Sequence, residues 1–130
     1  MPASTVIPVL AYPSVPEAVA WLTAAFGFTL RIGIGEHRAQ LNVGEGAVAI
    51  AAGGPLTVAP SGDSIMVRVA DARAHCARAE AAGARIASPP TDYPYGERQY
   101  TAIDLTGRVW TFSESIADVD PREWGGSVPA

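Results

Sequence analysis

Arginines on predicted strands are the side chains of this sequence best suited to bind a ligand. The chain contains no lysine, so all nine basic residues are arginines. Alternation along the predicted strands places Arg38, Arg68 and Arg98 on sheet faces that line a hollow. A guanidinium group forms paired hydrogen bonds with carboxylates and carbonyls, and it stacks on aromatic rings. The three arginines therefore predict a pocket for an anionic or carbonyl-rich small molecule.

The same alternation adds polar and small side chains to the predicted pocket. These are Gln40, Asn42, Ser64, Met66, Tyr100 and Thr111. The alternative is that these polar faces are solvated surfaces of antiparallel sheets. Tyr93, Tyr95 and Trp124 either stack on a planar ligand or pack their loop onto the body of the domain.

Composition excludes several other chemistries. The absence of lysine rules out a lysine Schiff base and a P-loop phosphate site. Two histidines and one cysteine allow neither an internal disulfide nor a Cys/His zinc site. The net charge of -4 argues against a nucleic-acid partner, which needs a basic surface. Because the sequence shows neither a membrane span nor a signal peptide, we expect a cytoplasmic protein with no membrane partner.

The elements that must position these residues form a repeat. Hydrophobic periodicity predicts a strand, a helix and three strands in that order, twice over. We expect one α+β domain over residues 1–130, in which two βαβββ modules form curved mixed sheets around a cavity. Module one spans about residues 6–52, a linker 53–63, module two about 64–115 and a tail 116–130.

Capping and turn residues set the predicted limits of these elements. Ser14 is the expected start of the first helix, and Gly27 is its expected end. The second helix is predicted to begin at Asp71 and to carry His75 on its outer face. The Pro- and Tyr-rich residues 88–97 are predicted to form a loop.

Two segments of module two resemble a known family. Tyr95-Gly96-Glu97-Arg98 is followed by Asp104-Leu105-Thr106-Gly107-Arg108-Val109-Trp110. Together with the pattern of residues 7–27, this order is similar to that of the glyoxalase/bleomycin-resistance superfamily, also called vicinal oxygen chelate. The resemblance covers about residues 6–115. It implies a dimer or paired modules, with a U-shaped cavity for a metal or a small ligand, and it allows a structural role for Arg98.

Metalloenzymes of this family hold a divalent metal with four side chains. The resemblance places them at Ile7, Ser64, Ala49 or Ile50, and Thr111. Metal sites need nitrogen, sulfur or oxygen donors, which Ile and Ala lack and which Ser and Thr supply poorly. The resemblance therefore implies the metal-free branch, with no metal and no cofactor. Within it we expect a homodimer that binds an aromatic or anionic natural product or drug, as bleomycin-resistance proteins do.

Two other functions stay open. A metal-independent isomerase, cyclase or hydrolase would use the same cavity, with Glu97, Tyr100 or Glu114 moving protons. A metalloenzyme would require His37, His75 and both of these glutamates to meet, which the predicted elements disfavour. Product formation in EDTA identifies the first, and elemental analysis identifies the second.

Overall fold

The computed structural model describes residues 4–129 and contains the predicted repeat. The order of strand, helix and three strands occurs twice, which confirms an α+β fold of two βαβββ modules. The first three residues, on which the expectation about the start of the chain rests, lie outside the described range. Module one contains β1 (Val9–Tyr12), α1 (Val15–Phe26), β2 (Thr29–Ile34), β3 (Arg38–Val43) and β4 (Gly46–Ala52). Module two contains β5 (Ile65–Arg68), α2 (Ala72–Ala81), β6 (Arg85–Tyr93), β7 (Glu97–Ile103) and β8 (Val109–Ser115).

Each module forms a four-stranded mixed sheet. The strand orders are β1-β4-β3-β2 and β5-β8-β7-β6, with the first strand of each module parallel to the last and the other pairs antiparallel. Neither sheet closes into a barrel, so β1, β2, β5 and β6 are edge strands. The α1 helix packs on β2, β3 and β4, α2 packs on β6, β7 and β8, and the two helices contact each other. Each sheet therefore has one face covered by helices and one open face.

Local sequence determines where both helices begin. The Ser14 hydroxyl oxygen accepts a hydrogen bond from the Glu17 N–H at 3.3 Å, and the Asp71 carboxylate accepts one from the Ala74 N–H at 3.0 Å. Gly27 ends α1 with a φ of 76°, a left-handed conformation that glycine adopts without steric cost. No helix within the described part of the chain is long and apolar enough to cross a membrane.

The prediction of a loop at residues 88–97 is wrong for most of that range. The β6 strand continues through Pro89 and Pro90 to Tyr93. Proline lacks the N–H group that a central strand needs, but an edge strand tolerates it. The pairing of β6 with β7 also shifts register on both sides of Ser88. The prolines therefore fall in an irregular stretch of an edge strand. Their lack of an N–H group breaks no hydrogen bond of a central strand there.

One aromatic core joins the two modules. Phe26, at the end of α1, lies 5.6 Å from Trp110 and 4.8 Å from Phe112 of β8, measured between ring centroids. Trp110 and Phe112 are fully buried. Burying one large apolar side chain contributes roughly 1.5–3 kcal/mol to the free energy of folding. The contacts between Phe26 and β8 therefore stabilise both modules. The helix-covered faces of the two sheets thus share one hydrophobic core.

A buried carboxylate bonds to both modules within this core. Asp104, in the β7–β8 turn, is 6% exposed. One of its oxygens accepts hydrogen bonds from the Tyr12 hydroxyl at 2.6 Å and from the Trp110 indole N–H at 3.0 Å. Its other oxygen accepts from the Thr106 hydroxyl and from the backbone N–H groups of Thr106 and Arg108. Burial, with the Asp104 charge beside it, raises the pKa of Tyr12, so the Tyr12 hydroxyl remains a donor.

Polar contacts also join the two helices at the end of α1. Arg78 of α2 donates two hydrogen bonds to backbone oxygens in the last turn of α1, each at 3.1 Å. His75 Nε2 lies 2.9 Å from the Phe26 backbone oxygen, and His75 Nδ1 contacts the Tyr100 hydroxyl. A carbonyl oxygen only accepts, so Nε2 carries the proton and Nδ1 accepts from Tyr100. The prediction of His75 on the outer face of α2 is therefore wrong, because α1 presents unpaired carbonyls to the inner face.

Replacing Asp104 tests the link between the modules. Asp104→Asn puts an amide N–H₂ group against hydrogen-bond donors, so we expect the free energy of unfolding to fall by about 2–4 kcal/mol. The control is Asp118→Asn, the same change in the exposed tail, which should alter it by less than about 0.5 kcal/mol. Urea denaturation measures both variants. Equal stabilities would contradict the role assigned to Asp104.

The burial of His75 predicts a pH dependence of stability. Desolvation lowers the pKa of His75 below its ordinary value of 6.5. The unfolded chain therefore binds a proton at this residue before the folded chain does, and the free energy of unfolding should fall as the pH drops below about 6.5. His75→Gln should flatten this fall, whereas His37→Gln, in the exposed β2–β3 turn, should not. Denaturant unfolding at a series of pH values measures the slopes, and identical slopes in all three proteins would disprove the effect.

Candidate functional site

The open face of the first sheet carries the polar residues predicted for it. Ala39 and Leu41 are buried on the helix side of β3, which leaves Arg38, Gln40 and Asn42 on the open side by strand alternation. The Gln40 and Asn42 side chains both hydrogen-bond to β2, at 3.0 and 3.3 Å. These contacts hold the two amides against the neighbouring strand.

The first and last strands of module two meet where the resemblance places metal ligands. Thr111 donates a hydrogen bond to the Ser64 hydroxyl oxygen at 3.4 Å. In module one, Ile50 is fully buried, and Ala49 pairs with Val9 of β1. These positions supply two hydroxyl groups and no carboxylate, imidazole or thiolate, so they do not fit a divalent metal. Within residues 4–129, no cluster of three or more His, Cys, Asp or Glu side chains is placed to hold a metal ion.

A cavity of about 740 Å³ lies between the modules, and we call it the seam cavity. Val6, Pro8 and the β3–β4 turn form its module-one wall, and β5 forms its module-two wall. Met66 and Arg68, two of the predicted pocket residues, line it. Because small-molecule sites typically measure about 300–1,000 Å³, the seam cavity is large enough for a ligand.

A chain of hydrogen bonds runs from the seam cavity across the open face of the second sheet. We call its side chains the polar row: Arg68, Ser115, Glu97, Ser113, Gln99 and Tyr95. Arg68 Nη1 donates to the Ser115 hydroxyl oxygen at 3.4 Å. The Ser115 and Ser113 hydroxyls donate to the two oxygens of Glu97 at 2.7 and 2.9 Å. Gln99 donates to Ser113 and accepts from the Tyr95 hydroxyl, both at 3.1 Å.

Strand pairing builds the polar row. Glu97 lies opposite Ser115, and Gln99 lies opposite Ser113, in the β7–β8 ladder. Directly opposed residues have Cβ atoms about 4.5–5.5 Å apart, which brings short hydroxyl side chains within reach of a carboxylate or amide. The sequence did not predict Gln99 or Ser115 in the pocket, and it gave Glu97 only as a proton-transfer residue of the alternative enzyme. These residues become predictable when the alternate polar residues of β7 are paired across the turn with those of β8.

Aromatic side chains stand at the far end of the polar row. Tyr93 and Tyr95 stack with ring centroids 5.3 Å apart, and Trp124 meets Tyr95 edge-on at 5.4 Å. We call these three residues the aromatic cluster. Trp124 belongs to the 3₁₀ helix Pro121–Trp124 and is 41% exposed. Burial, with Tyr93 and Glu97 nearby, raises the pKa of Tyr95, so its hydroxyl stays protonated and donates to the row.

The tail reaches the aromatic cluster through a close backbone contact at Gly96. The Gly96 backbone oxygen accepts hydrogen bonds from the N–H groups of Ile116 and Ala117 at 2.8 and 3.1 Å. Gly96 has a φ of 85°, and a Cβ atom there would lie 2.2 Å from the Ala117 backbone oxygen. Only glycine fits this position, because any side chain would push the tail away.

The predicted orientation of Arg98 and Tyr100 is wrong. Tyr100 lies opposite Phe112 and is buried on the helix side, and Arg98 shares that face of β7. Arg98 forms paired hydrogen bonds with Asp92 of β6 at 2.6 and 3.1 Å and lies 3.8 Å from Glu114. These hydrogen bonds lower the pKa of Asp92. Arg98 therefore pins β6 beside the Tyr-rich turn, which is the structural role that the resemblance allowed.

The predicted meeting of three arginines in one hollow is also wrong. Arg38 lies on the open face of the first sheet, Arg98 lies on the helix side of the second, and only Arg68 lines the seam cavity. The four residues that a metalloenzyme would need are likewise apart. His75 packs between the modules, whereas Glu97 lies on the open face.

Comparison with known proteins identifies relatives of the chain. The model of the Glyoxalase/Bleomycin resistance protein/Dioxygenase superfamily matches residues 6–112. TioX from Micromonospora sp. ML1 is 38% identical over 87% of this chain and 99% of its own, with a TM-score of 0.73. No curated protein matches the chain.

Two more distant structures share the fold. A glyoxalase/bleomycin resistance protein/dioxygenase from Nocardioides is 20% identical over 97% of this chain and 89% of its own, with a TM-score of 0.69. The fosfomycin resistance protein FosX from Listeria monocytogenes is 12% identical over 88% of this chain and 92% of its own, with a TM-score of 0.73. At such identities the similarity describes the fold and not the ligand.

Gly96→Ala tests whether the tail contact positions Trp124. Its control is Gly83→Ala, since Gly83 has a φ of 99° but nothing within 4 Å of an added Cβ. Both changes strain a left-handed backbone by about 1–2 kcal/mol, but only Gly96→Ala drives a methyl group into the tail. We expect a red shift of tryptophan emission in Gly96→Ala alone, as Trp124 leaves Tyr95. Identical spectra for the two variants would contradict this placement.

Proposed function

The chain belongs to the glyoxalase/bleomycin resistance protein/dioxygenase superfamily, and we propose that within it the chain is a metal-independent small-molecule-binding protein. The observation that carries the proposal is the chain of hydrogen-bonded side chains that connects the seam cavity, along the polar row, to the aromatic cluster. The seam cavity and the aromatic cluster offer apolar contacts, and the polar row offers a few fixed polar groups. Ligand sites typically combine these two features. We further propose a cytoplasmic homodimer, which light scattering would disprove by finding only monomer at high concentration.

The surface suits a ligand with a planar aromatic part. Trp124 is partly exposed beside the stacked pair of Tyr93 and Tyr95. A ring placed against such side chains gains about 0.5–1.5 kcal/mol beyond the burial of its area. Aromatic natural products and drugs carry rings of this kind together with hydrogen-bonding groups. A protein that sequesters one would protect a cell from its toxicity.

Metal independence is proposed because of the residues at the family's metal positions. The hydroxyl groups of Ser64 and Thr111 bond to each other, and the module-one positions carry Ala49 and Ile50. Hydroxyl groups that are not deprotonated bind divalent metals weakly. Ligand affinity must then come from the side chains of the polar row and the aromatic cluster.

One observation favours a second candidate, a metal-independent enzyme. Of the three proton-transfer residues expected from the sequence, only Glu97 lies on the open face, whereas Tyr100 is buried and Glu114 accepts a hydrogen bond from the Ala72 N–H at the start of α2. A carboxylate within reach of a ligand can take up a proton. Glu97 would be the base of an isomerase, cyclase or hydrolase, and product formation in EDTA that Glu97→Gln abolishes would establish it.

Calorimetric titration with a panel of planar aromatic compounds tests the binding function. We expect saturable binding that EDTA leaves unchanged, since no metal contributes to it. Arg68→Ala should weaken binding about tenfold, which corresponds to about 1.4 kcal/mol, because the ligand loses the guanidinium N–H groups that hydrogen-bond to its acceptors. Arg73→Ala, an exposed arginine on α2, should not. The absence of any saturable binder, or binding that requires an added metal, would refute the proposal.

A further inference from the structure

We propose that the polar row selects a ligand whose N–H or ammonium group faces Glu97, so that the site prefers cationic or amide-bearing aromatic compounds to anionic ones. This inference rests on the proposed binding function and deepens it by naming the ligand class. It replaces the anionic ligand expected from the arginines. The direction of each hydrogen bond in the row sets this preference.

The hydroxyl protons of the polar row are already committed. A carboxylate only accepts hydrogen bonds, so Ser115 and Ser113 each direct their single hydroxyl proton at an oxygen of Glu97, at 2.7 and 2.9 Å. Tyr95 directs its hydroxyl proton at the Gln99 carbonyl oxygen at 3.1 Å. No hydroxyl of the row is left to donate to a ligand.

Lone pairs are what the centre of the row offers instead. An ionised carboxylate has about four acceptor positions and a hydroxyl oxygen has about two. Each Glu97 oxygen uses one acceptor position for a serine hydroxyl, which leaves the other positions of the carboxylate open. Ser115 accepts one hydrogen bond from Arg68 and keeps a second lone pair, whereas Ser113 is 4% exposed and lies out of a ligand's reach. A ligand that replaces water at the centre of the row must therefore supply donors. Its acceptors fit only at the Arg68 and Gln99 ends, where N–H groups remain.

The charges of the row agree with this direction. Arg68 meets the row only at its seam-cavity end, through Ser115, whereas Glu97 bonds to both serines at its centre, so the carboxylate is the charge nearest to a ligand there. An anion at the centre would be repelled by the half-buried Glu97 carboxylate, whereas an ammonium group would be attracted to it. The net charge of -4 on the whole chain favours the approach of a cation in the same sense.

The aromatic cluster sets how far the donor stands from the ring. Tyr95 bonds to Gln99 and is close enough to Glu97 to feel its charge, so the cluster borders the Gln99 end of the row with the carboxylate beside it. A ring packed beside Tyr95 and Trp124 leaves room for a short linker before the donor reaches Glu97. A bicyclic ring with an aminomethyl substituent has this form.

Three probes of one shape and different charge test the inference. They are 2-naphthylmethylammonium, 2-naphthamide and 2-naphthoate, titrated calorimetrically into the full chain. We expect the ammonium to bind at least about tenfold more tightly than the carboxylate, with the amide between them. Glu97→Gln should weaken the ammonium about tenfold and strengthen the carboxylate. Glu80→Gln, an exposed glutamate on α2, should change neither.

Each outcome decides the question. If the carboxylate binds the wild-type protein as tightly as the ammonium, or if Glu97→Gln preserves the order of the probes, the inference is wrong while the binding function stands. If none of the three probes binds, the proposed function falls for planar aromatic ligands, and the inference falls with it. The order of the probes in the wild-type protein decides the inference even if Glu97→Gln fails to fold.

Discussion

The rest of the fold depends on one buried carboxylate that the two modules share. Asp104 accepts hydrogen bonds from Tyr12 of β1 and Trp110 of β8 through the same oxygen, and its other oxygen closes the β7–β8 turn. A buried charge is tolerated only when it is paired or fully hydrogen-bonded, so β1 and this turn must keep one relative arrangement. That arrangement turns Tyr100 and Phe112 toward the helices. Strand alternation then turns the polar row outward.

Most of the fold is predictable from local sequence, because its signals lie within a few residues. Ser14 and Asp71 begin the helices with their own side chains, and Gly27 ends α1 with its own backbone. The β6 strand is not predictable in this way. Its two prolines predict a loop unless β6 is known to be an edge strand, which tolerates proline. The edge position follows from the pairing of β6 with β7 alone, which local sequence does not show.

The candidate site is only partly predictable, because it depends on which face of each strand is covered. In β5 the apolar Ile65 and Val67 pack against the core, and strand alternation leaves Met66 and Arg68 exposed on the opposite side. In β7 both alternating sets mix polar and apolar residues, so the sequence does not show which set faces the helix. The prediction that Arg98 and Tyr100 face the pocket is wrong for this reason. The polar row emerges only from pairing across β7 and β8, which turns scattered serines and a glutamate into one network with a direction.

The central claim is that a ligand binds along the polar row without a metal and directs its donor at Glu97. An NMR titration of ¹⁵N-labelled protein with 2-naphthylmethylammonium, in EDTA, tests this most directly. We expect saturable shifts of the Gln99 side-chain amide and the Trp124 indole signals, which belong to the row and the aromatic cluster. The indole signal of Trp110, which donates to Asp104 in the core, should stay unchanged. Shifts confined to other parts of the chain, or shifts that appear only with added metal, would contradict the claim.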